Sequence, residues 1–361
     1  MRFPEFSGEW EKYRLKDIAN ISKERIGINM LSNNNYISTE NMKSDFGGVD
    51  VAINLPASGN VIKFQKGDTL LSNIRPYLKK IWQAKFDGGC SADIFVFRSN
   101  ILCNSDFLYY TLANEKFISY AMSGAKGVKM PRGDKEQILE YELHLPTTIE
   151  QNKITSFLSL LDKRITTQIK IIEDLKKLKS AIRAKVFKQL ESSCEFWSEI
   201  GNMLQYEQPS KYLVTSTEYS DSYATPVLTA NKAFILGYTD EEFGIYSKGE
   251  CVIFDDFTMD VKFVNFPFKV KSSAIKILTA NSGYDLYFVY EYLQNLGLVS
   301  EEHKRHYISE IEPMIVACPT FEEQQNISKL LRSFDNKIEC ANRELTLYNK
   351  QKQYLLSQMF I

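Results

Sequence analysis

Two stretches in the first half of the chain combine basic, amide and aromatic side chains in a way that suits nucleic-acid binding. The first is SNIRPYLKK (Ser72 to Lys80), which follows a strand-like run, and the second is the glycine-rich SGAKGVKMPRGDK (Ser123 to Lys135). Arginine pairs with guanine edges and asparagine with adenine edges, whereas lysines and backbone amides hold phosphates. The predicted contact residues of this half are Asn73, Arg75, Tyr77, Lys79, Lys80, Lys126, Lys129 and Arg132.

The second half offers a comparable set of polar and basic side chains. Lys269 and Lys271 alternate along a predicted strand, so both are expected on one side of it as a positive stripe. The segment from His303 to Tyr307 is an alternative contact region. For every candidate in either half, a solvated surface side chain is the competing interpretation. The predicted contact residues of this half are Asn231, Lys232, Thr258, Lys262, Lys269, Lys271, Ser272, Ser273, Lys304, Arg305 and His306.

Motifs for catalysis are weaker than these recognition candidates. The sequence has no G-x-x-x-x-G-K-[ST] phosphate loop, which argues against ATP hydrolysis. The string NFPF (Asn265 to Phe268) is similar to the loop of amino-methyltransferases, but Phe266 stands where that loop has proline, and no glycine-rich cofactor loop precedes it. An edge-strand proline is the favoured interpretation. One nuclease-like group is too tightly spaced to place its members on separate strands: Asp255, Asp256, Asp260 and Lys262.

Metal binding and disulfides are not expected. Six cysteines are scattered without a C-x-x-C pair, and His303 and His306 lack a third ligand. Reduced thiols in the cytoplasm are therefore the expectation. The N-terminal MRFPEFSGEWEKY is mixed and charged, and no apolar run approaches 18 residues, so we predict a soluble cytoplasmic protein with no membrane partner.

One long segment occurs twice. LPTTIEQNKITSFLSLLDKRI, which begins at Leu145, returns as CPTFEEQQNISKLLRSFDNKI, which begins at Cys318. In each copy a threonine (Thr147, Thr320) precedes a glutamate (Glu150, Glu323) by three residues, the spacing of a capping box. The spacing predicts that two helices begin near these threonines, each about 35 to 40 residues long.

Both predicted helices carry a 3.5-residue apolar repeat. Such a repeat favours an antiparallel coiled coil formed by the two helices, although each helix packing only on its own globular half is the alternative. The heptad positions of the first helix are Leu158, Leu161, Ile165, Gln168, Ile172, Leu175, Lys179, Ile182 and Val186. Those of the second helix are Leu331, Phe334, Ile338, Ala341, Leu345, Tyr348, Lys352, Leu355 and Met359.

These features divide the 361 residues into two globular regions and two helices, with an α+β mixture in each globular region. The formal charge is +2 for residues 1–144, +6 for 145–190, −10 for 191–317 and +1 for 318–361. A basic face on the first helix suits either phosphate contact or solvation, and both interpretations stay open. The acidic second globular region argues that any DNA contact there is a local patch.

The motifs together resemble the specificity subunit of type I restriction-modification systems. The likeness extends over essentially the whole chain, from FPEFSGEWEKYRLKDI through VLTANKAFILGYT and VIFDDFTMDVKFVNFPFKVKSSA. Its most specific parts are the duplicated P-x-x-x-E-Q helix starts and the segment KFVNFPFKVKSSA. The resemblance implies two similar target recognition domains, separated by an antiparallel coiled coil and related by a pseudo-two-fold axis.

The resemblance also implies a non-catalytic function. Such a subunit selects a bipartite sequence in double-stranded DNA for two adenine-methylating subunits and two ATP-dependent motor-nuclease subunits. S-adenosylmethionine, ATP and Mg²⁺ would then belong to those partners, and this chain would bind no cofactor or metal. The alternatives are a coiled-coil adaptor with two peptide-binding domains and a self-contained methyltransferase. Salt-sensitive binding to duplex DNA would exclude the adaptor, and binding of S-adenosylmethionine by the isolated chain would support the methyltransferase.

Overall fold

The computed structural model describes residues 2–229, 234–300 and 304–360. The chain divides into two compact units. Unit 1 comprises the chain up to Ile169 together with the C-terminal stretch from Arg343, and unit 2 comprises Lys170–Asn342. Two long helices contribute to both units, because each helix crosses one of these boundaries. Both units mix helices with strands, which confirms the predicted α+β class.

The described part of unit 1 contains ten strands: β1 (Glu11–Arg14), β2 (Ala19–Ile21), β3 (Arg25–Gly27), β4 (Tyr36–Ile37), β5 (Asn60–Phe64), β6 (Thr69–Ser72), β7 (Ile81–Gln83), β8 (Gly88–Cys90), β9 (Ile94–Ser99) and β10 (Glu142–Leu145). Its main sheet has the order β2-β9-β6-β7, with all neighbours antiparallel. A second sheet has the order β3-β5-β8-β4, and β1 pairs with β10. Valine, isoleucine and phenylalanine dominate β9, as expected for a buried strand.

The helices of unit 1 are α1 (Leu15–Ile18), α2 (Ser105–Leu112), α3 (Glu115–Ser123), α4 (Lys135–Leu139), the first part of α5 (Thr148–Ser193) and the last part of α8 (Phe321–Met359). The stretch from Ser105 to Met122 (SDFLYYTLANEKFISYAM) predicts one continuous helix, but the structure divides it at Asn114. The Asn114 side chain accepts a hydrogen bond from the Lys116 amide and thereby caps α3. Asn104, rather than Asp106, caps α2 by accepting from the Asp106 and Phe107 amides.

Unit 2 contains nine strands among the described residues: β11 (Trp197–Glu199), β12 (Leu204–Glu207), β13 (Thr225–Leu228), β14 (Ile235–Thr239), β15 (Cys251–Asp255), β16 (Val261–Val264), β17 (Lys269–Val270), β18 (Ile275–Ala280) and β19 (Ile315–Ala317). Its main sheet has the order β12-β18-β15-β16, again with all neighbours antiparallel. Taken in chain order, this is the strand order of the main sheet in unit 1. The two units therefore share the central element of their fold.

The helices of unit 2 are α6 (Ile200–Met203), α7 (Leu286–Leu296), the second part of α5 and the first part of α8 (Phe321–Met359). Asp285 caps α7 by accepting from the Phe288 amide, and Gly297 ends it in the left-handed conformation with φ of 60°. The same cap position precedes α2 in unit 1. Each main sheet is thus followed by a helix that begins with an Asn or Asp cap.

The two long helices begin where the capping pattern predicts. At the start of α8, the Thr320 amide donates to the Glu323 carboxylate at 2.9 Å, and the Glu323 amide donates to the Thr320 hydroxyl at 3.4 Å. At the start of α5, the Glu150 amide donates to the Thr147 hydroxyl at 3.4 Å, while the Glu150 carboxylate binds the Arg2 guanidinium. The reciprocal box is therefore complete in the second copy, and in the first the carboxylate anchors the N-terminal segment.

The glutamine after each capping glutamate ties the helix start to the globular part of its unit. In unit 1, Gln151 accepts from the Asn104 amide at 2.8 Å and donates to the Pro146 carbonyl at 2.9 Å. In unit 2, Gln324 accepts from the Asp285 amide at 2.9 Å and donates to the Pro319 carbonyl at 2.9 Å. This explains why the repeat preserves a proline and a glutamine.

The heptad positions face the interior in both units. Every one of these side chains is buried or half-buried. In unit 1, Leu158 and Leu161 of α5 share a hydrophobic core with Leu355 and Leu356 of α8 and with Phe107 of α2. The helices thus pack on each other and on the globular part at once, so neither of the two packing alternatives is complete alone.

The two helices run antiparallel. In unit 1, the beginning of α5 lies against the end of α8, where Lys352 Nζ is 2.6 Å from the Asp162 carboxylate. In unit 2, the end of α5 lies against the beginning of α8, where Lys179 Nζ is 2.6 Å from the Asp335 carboxylate. The lysine that interrupts each apolar repeat therefore has an aspartate partner on the other helix. With 46 and 39 residues, α5 is longer than predicted and α8 agrees.

Candidate nucleic-acid interface

The turn that follows β6 in unit 1 has an unusual backbone. Arg75 and Lys79 both adopt the left-handed region, with φ of 51° and 54°, and flank a 3₁₀ turn over Pro76–Leu78. Residues with a Cβ avoid this region, so the surrounding structure must hold them there. The amides of Asp45 and Phe46 contribute by donating to the carbonyls of Leu78 and Lys79, each at 3.0 Å. The segment at residues 45–46 therefore holds the C-terminal end of the turn in place.

The two polar stretches predicted in the first half meet at this turn. The Asn73 amide donates to the Asp93 carbonyl at 2.8 Å, and the Asn73 carbonyl accepts from the Gly133 amide at 3.1 Å. The Arg75 amide donates to the Pro131 carbonyl at 2.8 Å. These bonds join the strand exit, the segment before β9 and the glycine-rich loop into one surface. We call this surface cluster 1, which comprises residues 73–80, 91–93 and 126–133.

The lysines of the turn itself are engaged in holding it. Lys79 Nζ lies 2.6 Å from the Glu115 carboxylate, and Lys80 Nζ donates to the Thr39 carbonyl at 2.6 Å. Tyr77, at the tip of the turn, is 47% exposed. The sequence interpretation treated these three residues alike, but the structure separates two that support the turn from one that projects from it.

The glycine-rich loop presents cations that can change partners. Lys126 pairs with Asp134 at 2.6 Å and Arg132 pairs with Asp93 at 3.0 Å, and both basic side chains are more than half exposed. Exposed ion pairs contribute only about 0 to 1 kcal/mol, so phosphates can displace these carboxylates at little cost. Lys129 is exposed on the same loop.

Cluster 1 also contains two polar atoms with unused hydrogen-bonding capacity. Asn73 Oδ1 and Arg75 Nε are shielded from solvent, and neither has a hydrogen-bond partner in the part of the chain that the structure describes. Shielded polar atoms are paired in the great majority of cases, so an unpaired acceptor and donor in one cluster call for an explanation. A base edge could pair with these two atoms only if the turn shifts, because solvent does not reach either atom in this arrangement.

The same pair of backbone bonds recurs in unit 2. The Asp256 amide donates to the Ala274 carbonyl at 3.1 Å, and the Asp256 carbonyl accepts from the His306 amide at 3.1 Å. Asp256 follows β15 as Asn73 follows β6, and Ala274 precedes β18 as Asp93 precedes β9. The three joined segments, residues 256–260, 271–274 and 304–307, form cluster 2. Each unit therefore gathers its predicted contact segments in the same way.

An ionic network occupies the centre of cluster 2. Asp256, which is 1% exposed, accepts from the amides of His306 at 3.0 Å and Tyr307 at 2.8 Å through Oδ1. Its other oxygen lies 3.7 Å from Nζ of the buried Lys276, which in turn lies over the Tyr206 ring at 4.6 Å. Sequence reasoning missed Lys276. A single lysine within the apolar strand IKILTA was the available signal.

The rim of cluster 2 is polar and exposed. Thr258 is exposed and donates to the Asp255 carboxylate at 2.7 Å, and the Ser272 hydroxyl accepts from the Ala274 amide at 3.1 Å. Lys304 pairs with Glu310 at 3.0 Å. The remaining exposed candidates of this cluster are Lys271, Ser273 and Arg305.

The predicted lysine stripe of the second half is wrong at Lys269. This side chain is fully buried, and its Nζ lies 2.6 Å from the Glu241 carboxylate and donates to the Phe243 carbonyl at 2.7 Å. Burial raises the pKa of Glu241, but hydrogen bonds from Lys269, Thr215 and Ser216 outweigh it and lower that pKa to about 2. Lys269 therefore anchors the sheet of unit 2 that has the order β14-β13-β17, and its side chain does not face solvent.

One further candidate is buried, another forms an ion pair at the surface, and three residues cannot be placed. His306 is buried, and its ring nitrogens lie 2.9 Å from Glu310 and 2.9 Å from the Ser300 hydroxyl. Lys262 pairs with its neighbour Asp260 at 3.0 Å. Three residues named in the sequence interpretation lie outside the described residues: Asn231, Lys232 and His303.

The basic face of α5 is partly used within unit 2. Lys179 and Arg183 lie 2.6 Å and 3.4 Å from the carboxylate of Glu291, which is completely buried. These two cations are thus compensated by an internal carboxylate. The other basic residues of this face are exposed: Lys163, Arg164, Lys170, Lys176, Lys177, Lys185 and Lys188.

The described residues contain neither a membrane-spanning helix nor a group of side chains that could hold a metal ion. No helix in residues 2–229, 234–300 or 304–360 is long and apolar enough to cross a membrane. Over the same ranges, no group of three or more His, Cys, Asp or Glu side chains is arranged to hold a metal ion. The acidic run at Asp255 and Asp256 is engaged in the internal bonds described above.

Part of the chain is similar in sequence to known proteins. Residues 7–177 match the family model of the type I restriction modification DNA specificity domain. The specificity subunit of the type I restriction enzymes EcoR124I/EcoR124II from Escherichia coli is 40% identical over 176 residues, which cover 45% of this chain and 44% of that protein. The chain spans about half the length of the curated relatives it matches.

Solved structures support the fold. The S subunit of a type I restriction-modification system from M. genitalium superposes with a TM-score of 0.62 at 16% identity, covering 100% of this chain and 99% of that one. A chain from a study of complex assembly in a type I R-M system superposes with a TM-score of 0.59 at 15% identity, covering 98% of both chains. By sequence, residues 7–177 are similar to the DNA specificity domain of type I restriction-modification systems, and by fold the chain is similar to solved subunits of such systems.

Proposed function

We propose that this chain recognises DNA, with each unit reading one half of a bipartite sequence. The observation that carries the proposal is the repeated arrangement of clusters 1 and 2. In both units, two matching backbone hydrogen bonds bring three polar segments together at the same end of the two central strands of the main sheet. A duplicated scaffold with different side chains on it suits a protein that reads two different short sequences.

Within cluster 1, Arg75 and Asn73 are the residues we assign to base edges. Both side chains are half-buried at the turn that follows β6, and Arg-guanine and Asn-adenine pairs use the donors and acceptors that such side chains carry. Lys129, Lys126 and Arg132 lie on the exposed loop, where contacts to phosphates would position the duplex. Base contacts would thus come from the rigid turn and phosphate contacts from the loop.

In cluster 2 we assign the DNA contacts to the exposed residues at the rim. The central carboxylate of Asp256 is satisfied by two amides and a lysine, so it is not free to accept from a base. Arg305, Ser273 and Thr258 are exposed around it, and Lys271 is exposed beside them. The network fixes these segments, and the residues at its edge would contact the DNA.

The chain itself would be non-catalytic and would direct partners. Relatives named as specificity subunits of type I restriction enzymes support an assembly with other subunits of such an enzyme. In the proposal these partners are two adenine-methylating subunits and two ATP-dependent motor-nuclease subunits. S-adenosylmethionine, ATP and Mg²⁺ would be bound by those subunits. This chain would contribute the choice of sequence.

The two long helices would act as the spacer between the half-sites. Each helix contributes to both units, and each unit has its own Lys-Asp ion pair between the helices. Inserting one heptad into both helices is expected to change the number of unspecified base pairs while leaving both half-sites intact. An unchanged spacer in an active variant would contradict this part of the proposal.

The experiment that tests the proposal is sequencing of methylated adenines in cells that express the chain with its methylating subunits. We expect one bipartite sequence to be methylated, and the purified assembly to bind that duplex with strong salt dependence. A matched assembly without this chain is the control and should show no sequence preference. Methylation that is unaffected by removal of this chain would contradict the proposal.

A further inference from the structure

Most of the described non-glycine residues with a left-handed backbone lie in the turn at residues 75–79 or in the segment bonded to it. Within the described residues, five non-glycine residues have positive φ, and four of them lie in this turn or in the segment that clamps it: Asp45, Phe46, Arg75 and Lys79. Left-handed backbone is unfavourable for residues with a Cβ and persists where many contacts fix it. Such strain concentrates at functional positions, so the residue that this turn presents is of interest.

That residue is Tyr77. It occupies the middle of the 3₁₀ turn, while its neighbour Pro76 is buried and the flanking Lys79 is held by Glu115. The Tyr77 ring is 47% exposed. Over residues 2–229, 234–300 and 304–360, no hydrogen bond reaches its hydroxyl and no aromatic ring packs on it. The protein thus holds the backbone on both sides of Tyr77 and leaves its side chain projecting outward.

The clamps around Tyr77 prevent it from folding back. Amides of Asp45 and Phe46 hold the turn from one side at 3.0 Å, and the Pro131 carbonyl holds Arg75 from the other at 2.8 Å. A projecting ring that is fixed in advance loses little conformational freedom when it binds. A flexible loop would not need such clamps to place a side chain in solvent.

We infer that Tyr77 contacts the faces of bases and opens one base step in the half-site that unit 1 reads. This inference rests on the proposed function, since it requires cluster 1 to lie against DNA. Large apolar side chains inserted between base pairs unstack them and kink the duplex. The energy of that distortion depends on the sequence, so Tyr77 would contribute specificity without a hydrogen bond to a base.

Unit 2 has no equally exposed aromatic side chain at its corresponding turn, where Phe257 is half-buried. Residues 256–260 form a shorter connection between β15 and β16, and its exposed residue is Thr258. A threonine side chain is too short to enter a base stack, and this one donates to Asp255. The distortion is therefore expected in one half-site and absent from the other.

The test uses the full chain assembled with its methylating subunits and duplexes in which single adenines of the target are replaced by 2-aminopurine. Unstacking raises the fluorescence of this base. We expect a several-fold rise at one step in a single half-site, at a position other than the methylated adenine. Tyr77→Phe should retain the rise, and Tyr77→Ala should lose it with a fall in affinity of about 5- to 150-fold. Phe196→Ala, at an exposed aromatic residue outside both clusters, should leave the rise unchanged.

Three results would overturn the inference. If Tyr77→Ala gives the wild-type rise and affinity, the ring does not enter the stack. If Tyr77→Phe fails as Tyr77→Ala does, the hydroxyl rather than the ring makes the contact. If the wild-type assembly shows no sequence-specific binding, the proposed function fails and this inference falls with it. Because Tyr77 is exposed, neither substitution is expected to disturb folding.

Discussion

The two units use one backbone arrangement with opposite chemistry at its centre. In unit 1 the central residue is Asn73, whose side-chain oxygen is unpaired among the described residues, and the residue opposite it is Gly133. In unit 2 the corresponding residues are Asp256 and His306, and both are buried in an ionic network. The backbone bonds therefore suffice to define the cluster, and the side chains are free to differ.

The helix after each main sheet shows the same contrast. Six residues beyond its cap, α2 places Tyr110, which donates to Asp162 at 2.7 Å. Six residues beyond its cap, α7 places Glu291, which pairs with Lys179 and Arg183. In α7 the tyrosine that donates to the corresponding aspartate, Asp335 of α8, is Tyr287, which lies one turn earlier. Unit 2 thus carries buried charge where unit 1 carries a phenol.

The largest expected difference between the units comes from the central residue of each cluster. Asp256→Ala removes the acceptor for two amides and leaves Lys276 buried without a counter-charge, which should cost about 3 to 5 kcal/mol. The matched Asn73→Ala should cost about 0.5 kcal/mol or less, because its oxygen has no partner to lose. Urea unfolding, with hydrogen exchange of β18 and β9 to localise the change, measures both. Equal losses in the free energy of unfolding for the two variants would contradict the proposed difference between the centres of clusters 1 and 2.

Substitution in the capped helices should give a smaller contrast. Glu291→Gln leaves two basic side chains of α5 without their buried partner and should cost about 3 kcal/mol. Tyr110→Phe loses one hydrogen bond to a carboxylate that keeps its lysine, and should cost about 1.5 kcal/mol. Faster exchange of α7 amides in the first variant and of α2 amides in the second would locate each effect. A larger loss of stability for Tyr110→Phe than for Glu291→Gln would contradict the view that the buried charge of α7 contributes more than the hydrogen bond of α2.

The buried pair of Glu241 and Lys269 should make unit 2 the more acid-sensitive unit. The folded-state pKa of Glu241 is lowered to about 2 from the ordinary 4.5, so its stabilisation is complete above pH 4.5 and is lost as the pH falls towards 2. The loss is at most about 3 kcal/mol. Hydrogen exchange of β14 and β17 across this range measures it. Glu241→Gln should lack this pH dependence, and an unchanged profile in that variant would contradict the assignment.

The smallest expected effects are those of exposed lysines. Lys129→Ala in unit 1 and Lys271→Ala in unit 2 should each weaken binding to all sequences and lower the slope of log affinity against log salt by about 1. Neither should alter the methylated sequence. Salt titrations of the assembled complex provide the measurement. A change of sequence preference in either variant would instead make that lysine a base contact.

Sequence periodicity predicted the parts of the fold that depend on local spacing. The helix starts near Thr147 and Thr320 follow from a capping pattern, and the heptad positions follow from a 3.5-residue repeat. The break between α2 and α3 was missed, because Asn114 favours a cap but the surrounding residues favour a helix. Local patterns cannot decide such competition when the outcome depends on tertiary contacts.

The candidate site was harder to predict, because burial depends on distant residues. Alternation in a strand gives the side on which Lys269 lies, but not whether Glu241 and Phe243 cover that side. The same holds for His306, which reaches Asp256 from 50 residues away in the chain. The two stretches of cluster 1 were predicted as separate candidates, and only the backbone bonds of Asn73 and Arg75 bring them together.

The central claim is that clusters 1 and 2 read different half-sites. The most direct measurement is sequencing of methylated adenines in cells that express Arg75→Ala or Arg305→Ala with the methylating subunits. We predict that Arg75→Ala relaxes the sequence in one half-site and Arg305→Ala in the other, each with about 1 to 3 kcal/mol less discrimination at the affected base. Relaxation of the same half-site by both variants, or of neither by either, would contradict the account.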